Sequence, residues 1–326
     1  MDVTMRDITT RSGGFDLCVT EFLRVMDDLL PEKVFYRLCP ELAQGSRTPS
    51  GVPVRLQLLG QNPEALAANA ARAVALGSPG IDLNFGCPAK TVNKSRGGAV
   101  LLTEPDTLYR IAREVRAAVP ADQPVTAKMR LGFEDNALAL DNARALEAGG
   151  VAEITVHART KVDGYRPPAY WEQIPAIADA VSVPVIANGE IWSAQDYRRC
   201  LAVTGVADAM VGRGALAMPN LASVIKLGEA PWTWSQVLDE VLALAEKDLA
   251  AGRQRYMPSR IKQWLKYLKL AYPEADDLFM AVRRLRTADE MHQALVLARS
   301  LLDPIPQGQF RTAARPVEAV QRAHAQ

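Results

Sequence analysis

Short apolar runs and helical stretches alternate along roughly the first two thirds of the chain. Residues 16–22 (DLCVTEF), 53–59 (PVRLQLL), 81–85 (IDLNF), 124–130 (PVTAKMR), 152–157 (AEITVH), 183–187 (VPVIA) and 208–212 (DAMVG) are rich in Val, Ile and Leu and bounded by turn formers, and they predict strands. Residues 66–76, 106–118, 137–148, 171–180 and a stretch from 194 carry helical spacing between them. Strands alternating with helices predict a parallel sheet covered on its faces. Their spacing and the length of the chain favour an α/β, (β/α)8 TIM barrel over an open doubly wound sheet. No G-x-G-x-x-G follows an early strand, which argues against a Rossmann domain.

Such a barrel begins with a strand, yet this chain opens on a helix at 3–11, ended by Ser12-Gly13-Gly14. The first strand of the barrel is therefore expected to be lacking, through a start codon placed too far downstream or a genuine truncation. From about residue 231 the strand signals stop. Helices at 234–249, 258–270, 275–286 and 288–301 predict a small all-helical domain. The expected division is a barrel over 1–230, a helical domain over 231–303 and a loose Pro-, Gln- and Ala-rich tail over 304–326.

Composition narrows this little. The chain has 326 residues, 48% of them hydrophobic, enough for one large core and a small second one. A net charge of +1 neither suggests nor excludes a nucleic-acid partner. Cys18, Cys39, Cys87 and Cys200 are scattered, without the close pairing that zinc or a redox disulfide needs, so no metal is expected and a reducing cytoplasm suits the chain. Neither a signal peptide nor a membrane span is expected.

Candidate chemistry centres on GIDLNFGCPAKTVNKSRGGA, residues 80–99. Cys87 stands on a loop at the carboxyl end of a strand, followed by Pro88, which fixes the backbone, and by Lys90, Lys94 and Arg96. Three readings are open for it: an inert loop thiol, a nucleophile served by His157, or a proton donor. An unperturbed thiol titrates at about 8.5 and so holds a proton near neutral pH. Lys128 lies inside a strand and would be either solvent-facing or, at a barrel strand end, a cation for a developing negative charge. His157 ends its strand and is as compatible with a structural hydrogen bond as with ligand contact. Gln57, inside an apolar strand, needs a partner if buried: neighbouring backbone, or the donor–acceptor edge of a ring. Asn188-Gly189-Glu190 and Gly212-Arg213-Gly214 follow the last two strands, where barrels of this type bind phosphate on backbone N–H groups. Arg260, Gln263, Trp264 and Tyr267 share one helical face near Lys262, a mixture that suits phosphate contact and base stacking, or else a solvated basic face with Trp264 in the core.

These motifs resemble the tRNA-dihydrouridine synthases, most closely their bacterial C subgroup, and the resemblance runs over nearly the whole chain. It implies an FMN-dependent oxidoreductase on a TIM barrel with a helical domain behind it, reduced by NADPH. Cys87 would then protonate a uracil ring. Gln57, Lys128 and His157 would contact the flavin, with Asn188, Gly189, Glu190, Gly212 and Arg213 in the loops that hold its phosphate. Arg24, Asn84 and Arg130 would surround the uridine, and Arg260, Lys262, Gln263, Trp264 and Tyr267 would contact tRNA. The implied substrate is uridine 16 of the tRNA D-loop, drawn out of its stack, and the implied state is a cytoplasmic monomer. The family's Ala-Pro-Met segment, which lies against the flavin at the end of the first strand, has no counterpart here, so the resemblance begins at the helix after it. Two other readings remain: an FMN barrel reductase of a free pyrimidine, and an RNA-binding remnant without flavin.

Overall fold

A computed structural model describes residues 1–302. Seven parallel strands run in sequence order: β1 (Cys18–Arg24), β2 (Val54–Leu59), β3 (Ile81–Phe85), β4 (Val125–Gly132), β5 (Glu153–Thr160), β6 (Val185–Asn188) and β7 (Asp208–Met210). They form the curled sheet of a (β/α)8 barrel with one position open. Among the described residues β1 pairs only with β2 and β7 only with β6. Each predicted strand is present. The strand expected at 16–22 lies two residues later, and β4 and β5 run two and three residues past the expected ends.

The two faces of the strands carry different chemistry. Leu56, Leu58, Ile81, Leu83, Phe85, Val125, Ala127, Met129, Ile154 and Val156 are buried among the apolar residues of the core. The alternate positions hold Gln57, Asp82, Asn84, Thr126, Lys128, Arg130, Thr155 and His157. Because successive side chains point to opposite sides of a strand, this register lines the inner face of the curl with polar and charged groups. The helices Pro63–Ala75, Pro105–Ala118 and Ala139–Ala148 cover the other face. Their burial follows the 3.6-residue period: Leu108, Ile111, Ala112 and Val115 of the second are all fully buried. Asn62 caps the first of these helices with its side-chain oxygen, and Pro63 sits at the first helical position.

Before the sheet, helix Val3–Thr10 is tied down by Arg6, a fully buried guanidinium whose Nε and Nη2 donate to the Glu41 carboxylate at 2.8 Å each. The short helices Glu32–Leu38 and Lys90–Lys94 carry too few periodic positions to stand out in the sequence.

The chain divides into two compact units, Met1–Gly212 and a second from Arg213 onward. The second holds the helices Arg213–Ala217, Leu221–Lys226, Trp234–Ala250, Met257–Leu268, Pro273–Val282 and Ala288–Ser300. Thr233 and Thr287 open two of these with capping boxes, accepting from the N3 backbone while the Gln236 and Glu290 side chains reach back. The expected tail over 304–326 lies outside the described residues. No helix among the described residues is long and apolar enough to cross a membrane.

Candidate active site

Side chains from two strands and the following helix, with the backbone N–H of Ala99, brace the cysteine loop. Asn84, near the end of β3, turns its Oδ1 to accept from the backbone N–H groups of both Gly86 and Cys87, at 3.0 Å each. The Cys87 carbonyl accepts from Asn93 Nδ2 at 2.9 Å and from the Ala99 N–H at 3.1 Å. Gly98 packs behind it: with φ at +68°, a Cβ there would stand 2.9 Å from the Cys87 Cβ. Glycine at 98 is thus needed for close approach and for a left-handed backbone. Of the four cysteines, Cys87 alone has solvent access; Cys18, Cys39 and Cys200 are buried, and burial pushes their thiols up to about 11, 12 and 11.

Arg130 braces the same loop from β4. It is 1% exposed. Its Nε donates to the Gly86 carbonyl at 2.8 Å, and one terminal nitrogen donates to the Thr160 and Gly164 carbonyls at 2.9 Å each. The guanidinium also lies 5.3 Å from the Tyr165 ring centroid. Arg130 was expected beside the substrate nucleotides; in the fold its donors join the Cys87 loop to the segment after β5.

Lys128 stands opposite Asn84 in the β3–β4 register and opposite Thr155 in the β4–β5 register. It is half-buried and has neither a hydrogen bond nor an ion pair. Burial first, and the Arg130 charge second, push its ammonium down to about 8, against the opposing pull of Asp82. A cation in a polar lumen with no acceptor of its own fits the pyrimidine edge of a flavin, where negative charge develops on reduction.

Gln57 finds side-chain partners, not the backbone. Its Nε2 donates to Asp82 Oδ2 at 2.7 Å and its Oε1 accepts from Asn84 Nδ2 at 2.7 Å. Asp82 is 2% exposed, accepts also from Thr126 Oγ1 at 2.6 Å, and is pushed up by burial despite those bonds. Sequence reading missed Asp82, Thr126 and Arg159. The signal was the two-residue alternation of polar positions in IDLNF, VTAKMR and EITVHART, which marks one face of each strand as polar.

At the end of β5, His157 lies 6% exposed against Gly189, whose φ is +121° and where a Cβ would meet the imidazole at 2.9 Å. Glycine at 189 therefore serves the histidine ring directly. Fully buried Arg159 pairs with Glu190 at 2.9 Å, and the same carboxylate accepts from Trp192 Nε1 at 3.0 Å. Asn188 Nδ2 donates to the Met210 carbonyl, linking the end of β6 to β7. A Cβ at Gly212 would meet nothing within 4 Å, so the backbone there is open to approach. Arg24 ends β1, exposed. Among the described residues no group of His, Cys, Asp and Glu could hold a metal ion.

In the helical unit the expected set divides. Trp264 is 3% exposed and its Nε1 donates to the Leu216 carbonyl at 3.0 Å, so its ring is core and not an exposed stacking surface. Arg260 pairs with fully buried Asp248, which also accepts from Arg253 at 2.9 Å. Lys262 donates to the Leu285 carbonyl at 2.9 Å. Gln263 is exposed and Tyr267 half-buried.

A family model described as dihydrouridine synthase matches residues 1–295. The chain is 53% identical to the tRNA-dihydrouridine(16) synthase of Shewanella oneidensis, across 93% of this chain and 96% of that one. It is 54% identical to the protein of that name from Pseudomonas putida, across 87% and 90%. Among solved structures, histamine dehydrogenase from Rhizobium sp. 4-9 has a TM-score of 0.52 over 70% of this chain and 44% of that chain; at 16% identity the likeness is one of fold alone. With the barrel, the braced cysteine loop and these matches together, the chain belongs to the dihydrouridine synthase family.

Proposed function

We propose that this enzyme reduces a uridine in the tRNA D-loop, at position 16, to 5,6-dihydrouridine, with FMN as cofactor, NADPH as reductant and Cys87 as proton donor. The observation that carries the reading is the pairing of an acceptor-free Lys128 with the braced Cys87 loop on adjacent strands of one polar lumen. Lys128, Gln57 and His157 would hold the flavin ring, and the turns at Asn188, Gly189, Glu190, Gly212 and Arg213 its phosphate. When bound, FMN supplies the two-electron reduction of the uracil ring. The ammonium of Lys128 offers positive charge where that chemistry needs it. Asn84, Asn93 and Arg130 fix the loop that carries the half-buried Cys87 thiol, so its direction of delivery is set before substrate arrives. The relatives' name gives position 16 and tRNA as substrate; Arg24, Asn84, Gln263 and Tyr267 are the substrate contacts proposed here. A monomer in the cytoplasm suits this reading.

A flavin spectrum of the purified protein, recorded before and after addition of FMN, tests it. Bands of oxidised flavin, bleached by NADPH and restored by tRNA, are the expected result. Protein that stays colourless after FMN is added would favour an RNA-binding remnant, and restoration by free uracil but not tRNA would favour a reductase of free pyrimidines.

A further inference from the structure

We propose that Asp82 is the positioning residue for Cys87, acting through two side-chain amides. The inference rests on the reading of Cys87 as proton donor. From the loop the donations run through Asn84 and Gln57 to Asp82, and Thr126 donates to the same carboxylate from the other side. Thr126 Oγ1 donates to Asp82 Oδ1, Gln57 Nε2 donates to Asp82 Oδ2, Asn84 Nδ2 donates to Gln57 Oε1, and the Gly86 and Cys87 N–H groups donate to Asn84 Oδ1. An amide has a donor end and an acceptor end, and nothing in its shape fixes which way it faces. Backbone N–H groups can only donate, so Asn84 must turn its oxygen to the loop and its nitrogen to Gln57. Gln57 must then offer oxygen to Asn84 and nitrogen to the next partner. That partner has to accept, and Asp82 does.

The register makes this a designed contact path. Gln57 stands opposite Asp82, and Asp82 opposite Thr126, on three adjacent strands. The direction of the chain survives protonation of Asp82, because a carboxylic acid can donate to the Thr126 hydroxyl and still accept from Gln57. An asparagine at 82 could do the same, with its oxygen toward Gln57 and its nitrogen toward Thr126. A leucine could not. Gln57 would then be free to flip and present nitrogen to Asn84. Asn84 would answer with its oxygen, and the Gly86 and Cys87 N–H groups would lose their acceptor.

The test compares Asp82→Leu and Asp82→Asn in the full-length holoprotein. Two readouts are followed: dihydrouridine formation in a single turnover, and native-state alkylation of Cys87 by iodoacetamide, followed by mass spectrometry. Alkylation is informative because the other three cysteines are buried. Asp82→Leu should lower the single-turnover rate, measured on flavin-loaded protein at saturating tRNA, by about 10²-fold, the cost of a misplacement near 1 Å. It should also change the alkylation rate severalfold, while Asp82→Asn keeps both near the parent. Should Asp82→Leu fail to fold, Gln57→Met cuts the same chain one link nearer the loop and should change the alkylation rate alike. Equal impairment of Asp82→Asn and Asp82→Leu, or unchanged alkylation in Asp82→Leu and Gln57→Met, would overturn the proposal. A parent protein that makes no dihydrouridine would remove the functional reading and leave the alkylation comparison standing as the test of position.

Discussion

Lys128 on β4 faces Asn84 on β3 across one rung of the parallel ladder, and Asn84 in turn holds the N–H of Cys87. One rung of sheet therefore joins the candidate cation to the candidate acid. Replacing Cys87 with Ala separates the two roles. The variant should bind FMN as the parent does and lose about 10²- to 10⁴-fold in dihydrouridine formation, the usual worth of a positioned acid. Flavin absorbance and product measured on one preparation check this; full turnover by the variant would remove the thiol from the reaction.

A pH profile follows from Lys128, whose folded value of about 8 lies below the ordinary 10.5. It is charged below about 8, so flavin-dependent turnover should decline as pH rises through that value. Stability should move the other way. Between about 8 and 10.5 the unfolded chain binds a proton that the folded chain has shed, so folding gains as pH rises across that window. Lys128→Met, which removes the half-buried charge, should melt no lower than the parent at neutral pH while losing flavin affinity. A clear drop in melting temperature would show that Lys128 supports the fold.

The alternation of strands and helices put all seven strands within a few residues of their places, because Val- and Ile-rich runs bounded by Gly and Pro have few other solutions. Cys87 was legible as a loop residue at a strand end for the same reason. Trp264 was not: the R-x-K-Q-W-x-x-Y spacing defines a face but not which way it turns, and the buried face runs through Ile261, Trp264, Leu265 and Leu268. The sequence singled out Arg130 beside the uridine, but its donations to the Gly86, Thr160 and Gly164 carbonyls could not be read from the sequence, since a buried arginine and a ligand-binding one look alike until those carbonyls are placed. Gln57, open between backbone and ring contact, proved to depend on Asp82, 25 residues away.

Arg130→Met should loosen the loop. It removes three charge-assisted donations to carbonyls, each worth about 1.5–3 kcal/mol where the partner is left buried. The expected result is a fall in stability of several kcal/mol by urea titration and faster proteolysis between Gly86 and Gly97. Retained stability would contradict the brace assigned to it.

Gly98→Ala places a methyl against the Cys87 Cβ and carbonyl at 2.9 Å, on a backbone with φ of +68°. Strain at such a site costs about 1–3 kcal/mol, and the thiol should be displaced with it. Chemical denaturation and the Cys87 alkylation rate should both change; a variant equal to the parent in both would show that the loop absorbs the methyl.

Trp264→Ala should cost the helical unit about 3–5 kcal/mol, as large-to-small changes in a core do, whereas an exposed stacking residue would leave its melting unchanged and weaken only RNA binding. Calorimetry beside a tRNA titration separates the two.

The central claim is put most directly by incubating the purified protein with FMN, NADPH and an unmodified tRNA transcript, then locating dihydrouridine by nuclease digestion and mass spectrometry. The account predicts one dihydrouridine per transcript, at position 16, that disappears with Cys87→Ala. Flavin that binds and is reduced by NADPH while every D-loop uridine stays intact would contradict it.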